Sequence, residues 1–345
     1  MHTGLLVEFL VSAAVIWTAG IWLTKTTDAI DTKYNLGSAF GGLLILGVAT
    51  SLPEIAIVVS AAAAHHYDVI IGTLLGGIAI QTALIAVLDA RMKVKSPLTF
   101  SAASLTLVLE AVVVIMVAAA SIIAVKTPVV IYSRVSLASA LIFAFWVFGL
   151  WLIYKARKGL PWQSEALQSH PGREHHERQA VINQSTLRRA PTAVIFLIFG
   201  VAALAILISG VALQSSGTQL AHNWGIGTGL FAATFIALAS ALPDISTGIR
   251  SVDIGDYKLA MSDIFGANAF MPALFIVCGL IAGRPILSSA TTTDIWFAAL
   301  GVLLTGIYII GLVVRPKRTY FRMGIDSILV VAIYIFGITA LALNG

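Results

Sequence analysis

Ten stretches of this chain, each about 20 residues or longer, run almost without charge, at roughly 3–23, 36–64, 68–88, 98–125, 131–154, 192–213, 226–250, 258–282, 291–313 and 325–343. About 20 apolar residues in a helix cross the hydrocarbon core of a bilayer. Backbone amides in that core must pair internally, and runs of this length do so as helices. Composition agrees: 11% of residues are charged, against roughly 25% in a soluble domain, and mean hydropathy is +0.96. The expected class is an all-α polytopic protein whose first partner is the lipid bilayer. The first stretch lacks a basic leader and a small-x-small cleavage site and holds Glu8, so it reads as a retained helix and not a signal peptide. Cys278 is the one cysteine, which leaves no disulfide within the chain and no thiol metal site.

Basic residues orient the spans. With the N-terminus outside, 18 of the 21 lysines and arginines fall in inward-facing connections, and only Lys126, Arg134 and Arg284 fall outside. That asymmetry is the positive-inside pattern, with both termini on the outer side of a cell inner (plasma) membrane. The net charge of +5 therefore reports topology and asks for no nucleic-acid partner. Nothing in the sequence points to a protein partner.

One connection is different. Residues 155–191 are polar and include "HPGREHHERQA", with His170, His175 and His176. They read as a cytoplasmic linker between an N-terminal five-helix unit, 1–154, and a C-terminal one, 192–345. Metal sensing by the histidines is the sharper alternative.

The two units carry an echo. "GVATSLPEIAIVV", Gly47 to Val59, returns as "ALASALPDISTGI", Ala237 to Ile249, displaced by 190 positions without a gap. Leu52, Pro53 and Ile55 recur as Leu242, Pro243 and Ile245; Thr50 becomes Ser240 and Glu54 becomes Asp244. The register continues through Tyr67 and Tyr257, Gly76 and Gly266, and upstream through Gly37 and Gly227. Five spans separate the copies, so they enter the membrane from opposite sides. The expected architecture is ten transmembrane helices in two inverted five-helix repeats, with broken helices at the midplane, where such proteins place an ion or substrate site.

The motif chemistry suits a cation. Proline withholds a backbone donor and frees carbonyls. A carboxylate in hydrocarbon is expensive unless it meets a cation, a proton or a polar partner. Paired carboxylates with hydroxyls and carbonyls make a hard oxygen site, suited to Ca²⁺ or Na⁺ and lacking the sulfur or imidazole of softer metal sites. The plainer readings are helix capping for the two acids, and bonding back to their own helix for the Ser and Thr side chains. Gln81 is intramembrane too, but its counterpart is Met271, which weakens a pore-lining role. Glu110 lies mid-span, where pairing within the bundle is the default. His65, His66 and Tyr67 read as solvated turn residues, Asp253 and Asp256 as surface charges, and Trp151 as an interface anchor.

These segments resemble the alpha repeats of the sodium/calcium exchanger family, within the wider cation/calcium antiporter group, as a divergent bacterial-type member. That family has a G-T-S-x-P-E-like signature followed on the next helix by a G-N-x-x-G-S-N-like one. The first is similar to "ATSLPE", 49–54, and more loosely to "ASALPD", 239–244; the second departs, reading "GTLLGGI" in one half and "SDIFGAN" in the other. Thr73 and Gly77 stand where the family prefers asparagine and serine, Asp263 replaces an asparagine, and Asn268 is kept. The resemblance implies that Glu54 and Asp244 bind calcium, and that Thr50, Ser51 and Ser240 add oxygens. Asp263, Thr73 and Asn268 complete the expected set. It also implies helix-packing roles for Gly72, Gly76 and Gly266, and alternating access in which the first and sixth spans slide on a core. A third carboxylate, Asp263, favours a proton-coupled mode, because crowded carboxylates share protons.

The expected function is thus a secondary active antiporter exporting Ca²⁺ against Na⁺ or H⁺. Its ions bind transiently and no resident cofactor is expected. Another divalent cargo, Mg²⁺ or Mn²⁺, is the alternative. A passive cation channel fits less well, because inverted broken helices suit alternating access. A phosphate loop, an HExxH pattern and a nucleophile constellation are all missing from the sequence, so an enzyme is not expected.

Overall fold

The computed structural model describes residues 2–34, 49–94, 96–126, 130–132, 135–157 and 190–344. Helices dominate. α1 spans His2–Tyr34, α2 Leu52–Ala63 and α3 Tyr67–Ala90, the last with a π-helical turn at Gly72–Gly76. A short α4, Leu98–Ala102, precedes α5, Leu105–Lys126, and α6, Leu137–Arg157. The second half holds α7, Thr192–Trp224; α8, Thr228–Ser240; α9, Leu242–Asp253; α10, Tyr257–Ala282; α11, Thr292–Val314; and α12, Ile325–Asn344.

Seven of the described helices are long and apolar enough to cross a membrane, or eight if the bent pair α8 and α9 is one span. The sequence suggests ten. Two of the ten stretches contribute only short helices among the described residues. Of the stretch 36–64, only 49–64 is described, and α2 alone has 12 residues; the apolar part of α12, Ile325–Leu341, is also short. The linker histidines and Gly37 lie outside the described residues.

Several boundaries move. α1 and α7 each run 33 residues, well past the expected ends at 23 and 213. Their extensions, 24–34 and 214–224, are more polar than the apolar runs before them and hold Ser, Thr, Gln and Lys that a helix tolerates. The stretch 98–125 breaks at Ala103, where the backbone turns to φ −48, ψ 116 and the Ser104 hydroxyl accepts from the Leu107 amide. The start of the stretch 131–154 is an antiparallel pair, β1 (Val130–Tyr132) with β2 (Val135–Ser136). A second hairpin, β3 (Thr319–Tyr320) with β4 (Met323–Gly324), precedes α12 in the same way.

The repeat is written into the backbone as well as the sequence. α2 and α9 have equivalent bounds, 190 positions apart. Ser51 and Ala241, which precede them, have φ/ψ of −84/5 and −77/−1; Ala64 and Ile254, which follow, have −86/0 and −92/0. The next helices start after His66 at −87/74 and Asp256 at −86/71. Between them, His65 takes φ 60 where its counterpart is Gly255 at φ 83. The left-handed turn is thus required by the fold, and glycine fits it without strain in one copy only.

α3 and α8 meet at the centre of the bundle. A Cβ on Gly72 would stand 2.4 Å from the Gly229 carbonyl, and one on Gly76 would stand 2.3 Å from the Ala233 Cβ. The π turn of α3 packs against the π turn of α8 at Ala232–Ile236. Gly266, expected to pack similarly, has no neighbour within 4 Å of a built Cβ. Its role as a packing glycine is not supported. At one end of the bundle Asp89 ties the chain together: it accepts from the Leu98 amide at 2.7 Å and the Gly324 amide at 2.6 Å. Asp326 beside it accepts from Thr99 Oγ1 at 2.5 Å and the Ser327 amide at 3.0 Å.

Candidate functional site

The two proline-acid motifs arrive at the bundle centre as helix starts. Leu52–Pro53–Glu54 opens α2 and Leu242–Pro243–Asp244 opens α9, with proline in the first turn of each. Proline is tolerated there because a first-turn N–H has no intrahelical partner. In exchange, its ring nitrogen has no proton for the carbonyl four residues back, that of Ala49 or Ala239. α8 and α9 bend by 44° across this break. Glu54 and Asp244 therefore sit in the positive end of a helix dipole, which favours a carboxylate.

The motifs face one another. The Glu54 carboxylate lies beside the Ser240 hydroxyl, and Asp244 lies beside Thr50. Each acid thus meets the hydroxyl of the opposite motif, and the two hydroxyls are themselves repeat equivalents. Asp244 also faces Glu54 and Asp263. All of these side chains are buried: Glu54 is 1% exposed, Asp244 2% and Asp263 8%. Among the described residues neither Glu54 nor Asp244 forms an ion pair with lysine or arginine.

Several buried side-chain oxygens of the motif helices and of α3 and α10 lack a partner. Glu54 Oε2, both Asp244 carboxylate oxygens, Ser51 Oγ, Thr73 Oγ1 and Asn268 Oδ1 are buried with no hydrogen-bond partner. Buried polar atoms are nearly always satisfied, so the unpaired carboxylate oxygens of Glu54 and Asp244 are exceptions that a cation or a proton could satisfy. Ser240 Oγ donates to the Ala237 carbonyl at 3.1 Å, so its proton is directed along its own helix. Among the described residues, no three His, Cys, Asp or Glu side chains stand close enough to grip one metal ion. The arrangement instead mixes carboxylates with neutral oxygens. Ser51 and Thr73 share the burial, but neither is bonded to the acids.

Gln81 was undervalued by sequence. Its Nε2 donates to Glu54 Oε1 at 3.3 Å, and its own Oε1 is buried and unpaired. The only sequence signal was an amide in an apolar helix. Asn268 donates to Thr82 Oγ1 at 3.0 Å and lies 3.5 Å from the Ile78 carbonyl, so it joins α10 to α3. Other expectations shift. His66 is no merely solvated residue: its Nδ1 lies 2.9 Å from Gln214 Nε2 on α7. Asp253 pairs with Lys93 at 3.0 Å and Arg91 at 3.4 Å. Glu110 is buried on α5. Trp151 is half-exposed with Lys155 over its ring at 5.2 Å.

α1 and α7 lie along each other and cross the site from outside. A Cβ on Gly20 of α1 would stand 2.6 Å from the Pro243 Cβ, and one on Gly210 of α7 would stand 2.6 Å from the Ala56 Cβ and 3.3 Å from the Pro53 carbonyl. Gly20 and Gly210 are again 190 positions apart. Each long helix therefore presses a bare backbone onto the motif of the opposite half.

Comparison with known proteins places this geometry in context. The sequence model of the family described as "Sodium/calcium exchanger protein" matches residues 4–155 and 194–342. The inner membrane protein YrbG of Escherichia coli (strain K12) is 28% identical over 241 residues, 70% of this chain and 68% of YrbG. Among solved structures, the H⁺/Ca²⁺ exchanger CAX superposes with a TM-score of 0.66 at 14% identity, covering 99% of this chain and 88% of CAX. The sodium-calcium exchanger NCX_Mj superposes with a TM-score of 0.59 at 16% identity, covering 99% of each chain.

Proposed function

The chain belongs to the sodium/calcium exchanger protein family of membrane antiporters, and from that premise we propose that it exports Ca²⁺ in exchange for H⁺ or Na⁺. In this reading Glu54 and Asp244 are the principal ligands. Thr50, Ser51 and Ser240 supply motif oxygens, and Asp263, Thr73 and Asn268 line the same interior. The single observation that carries it is the reciprocal placement of the two acids, each beside the hydroxyl of the opposite motif and each with unpaired oxygen. Hard, donor-poor oxygen of this kind suits Ca²⁺.

The proposed architecture is ten spans in two inverted repeats, 1–154 and 192–345, joined by a cytoplasmic linker at 155–191, with both termini outside. The matching dihedrals around α2 and α9 support the repeat. α1 and α7 act as the sliding pair, since glycine contacts permit shear between packed helices. Two carboxylates that release one Ca²⁺ balance charge with two monovalent cations of either kind, and H⁺ is the proposed counter-ion because the third carboxylate, Asp263, faces Asp244 and crowded carboxylates share protons. Names and folds of similar proteins span both modes: CAX is an H⁺/Ca²⁺ exchanger and NCX_Mj a sodium-calcium exchanger.

The test is uptake of labelled Ca²⁺ into proteoliposomes under a proton gradient or a sodium gradient imposed alone. Uptake driven by protons and not by sodium is the expected result. Uptake driven only by sodium reverses the coupling assignment. Mn²⁺ or Mg²⁺ accepted in place of Ca²⁺ replaces the cargo, and a current independent of either gradient supports a channel.

A further inference from the structure

We infer that Thr82 is a positioning residue, which locks the Asn268 amide so that its carbonyl oxygen is the atom presented to the transported cation. The inference rests on the antiport reading and adds to it a residue outside both motifs.

The argument is one of donors and acceptors. Thr82 Oγ1 donates to the Ile78 carbonyl at 2.7 Å, so its single proton is committed along its own helix. What remains toward Asn268 is a hydroxyl lone pair at 3.0 Å, with the Ile78 carbonyl alongside at 3.5 Å. Two acceptors face the end of the amide. A carbonyl oxygen placed there would meet lone pairs on both, so the NH₂ group must occupy that position. Thr305 on α11 backs the hydroxyl at 3.5 Å, and its own proton is directed to the Gly301 carbonyl at 2.8 Å. It therefore reinforces the assignment.

The consequence falls on the other end of the amide. Asn268 Oδ1 is turned away from this cage, is buried, and has no donor. An asparagine free to flip would offer a cation either an oxygen or an NH₂ group, and only the oxygen binds it. Thr82 removes that choice before the ion arrives, which is preorganisation. The device is not duplicated by the repeat. The counterpart of Thr82 is Pro272, and that of Asn268 is Ile78, whose carbonyl is itself part of the cage. Neighbouring Gln81 follows the same logic by donating its NH₂ to Glu54 and keeping its oxygen unpaired.

Thr82→Val keeps the side-chain shape and deletes the hydroxyl; Thr82→Ser keeps the hydroxyl. Calcium uptake into proteoliposomes and calcium titration of the purified full chain read both. Thr82→Val is expected to raise the KM for Ca²⁺ about tenfold, the effect of losing one buried hydrogen bond, with kcat within about twofold of the parent. Thr82→Ser is expected to restore the parental KM. Asn268→Leu, which deletes the oxygen itself, is expected to absorb the Thr82→Val effect in the double variant, because the two residues act as one unit. A parental KM in Thr82→Val, a Thr82→Ser variant as impaired as Thr82→Val, or full additivity in the double variant overturns the inference. Glu54→Gln separates this from the wider reading. If it transports normally, or if the parent neither binds nor moves Ca²⁺, the antiport assignment falls and the Thr82 role with it. If Glu54→Gln abolishes transport and Thr82→Val transports with the parental KM, only the Thr82 role falls.

Discussion

At the scale of residues, the proposed site depends on charge that cannot be replaced by shape. Glu54→Gln and Asp244→Asn keep the side-chain volume and the helix start, and remove the charge that a divalent ion needs. Each is expected to abolish calcium uptake while the protein remains folded and membrane-inserted, as measured by proteoliposome transport beside a melting curve in detergent. Uptake at parental rates in either variant removes that acid from the site. Both acids were legible in the sequence because a carboxylate beside a proline in an apolar run is costly, and because the pair recurs at a fixed displacement. Gln81 and Thr82 were far less legible. They are neutral, they cost little in an apolar helix, and their counterparts, Met271 and Pro272, carry no matching chemistry. The ligand-supporting layer has diverged between the halves while the motifs have not. Gly266 shows the reverse error: a residue matched by register whose surroundings give it nothing to pack against.

At the scale of elements, most apolar stretches end within three residues of an observed helix end, and the exceptions are the ends of α1 and α7 and the starts of α5 and α6. Apolar runs mark where a helix can be buried, but α1 and α7 continue as helices beyond them. The break at Ala103 and the hairpin at β1 and β2 stayed hidden for a related reason. Val, Ile and Tyr suit a strand and a span alike, so hydropathy merges the two. The glycines of the long helices permit a direct test of sliding. Gly20→Ala and Gly210→Ala each force a methyl to within 2.6 Å of Pro243 or Ala56, so the contact must open. Both are expected to slow exchange at saturating Ca²⁺ by about tenfold or more, from a disturbance of roughly 1–3 kcal/mol. Gly200→Ala on the same α7, where a Cβ meets nothing within 4 Å, is expected to exchange at the parental rate. Equal rates for Gly200→Ala and Gly210→Ala would mean that this crossing does not limit transport.

At the scale of the whole molecule, the strongest constraint is that two copies of one local structure have opposite surroundings. Ala64 and Ile254 end equivalent helices with almost the same dihedrals. Around the first lie His65, Tyr67 and Arg284, whose guanidinium stacks on the Tyr67 ring at 5.0 Å. Around the second, Asp253 is held by Arg91 and Lys93, two of the cations that the positive-inside reading assigns to the inner side. Equal backbone in unequal charge environments is what inversion across a membrane produces, since positive charge is retained on one side only. Labelling decides the point. Cys278 is buried, and Cys278→Ala gives a background without thiols. Ala64→Cys in that background is expected to react with a membrane-impermeant maleimide added to intact cells, whereas Ile254→Cys is expected to react only after the inner face is opened. Reaction of both from one side makes the repeats parallel, and parallel repeats would place Glu54 and Asp244 on helices entering from the same face. The reciprocal placement of Glu54 beside Ser240 and of Asp244 beside Thr50 follows from a two-fold relation between the copies, and labelling from opposite sides, the outcome expected of the proposed inverted repeats, would set that axis in the membrane plane.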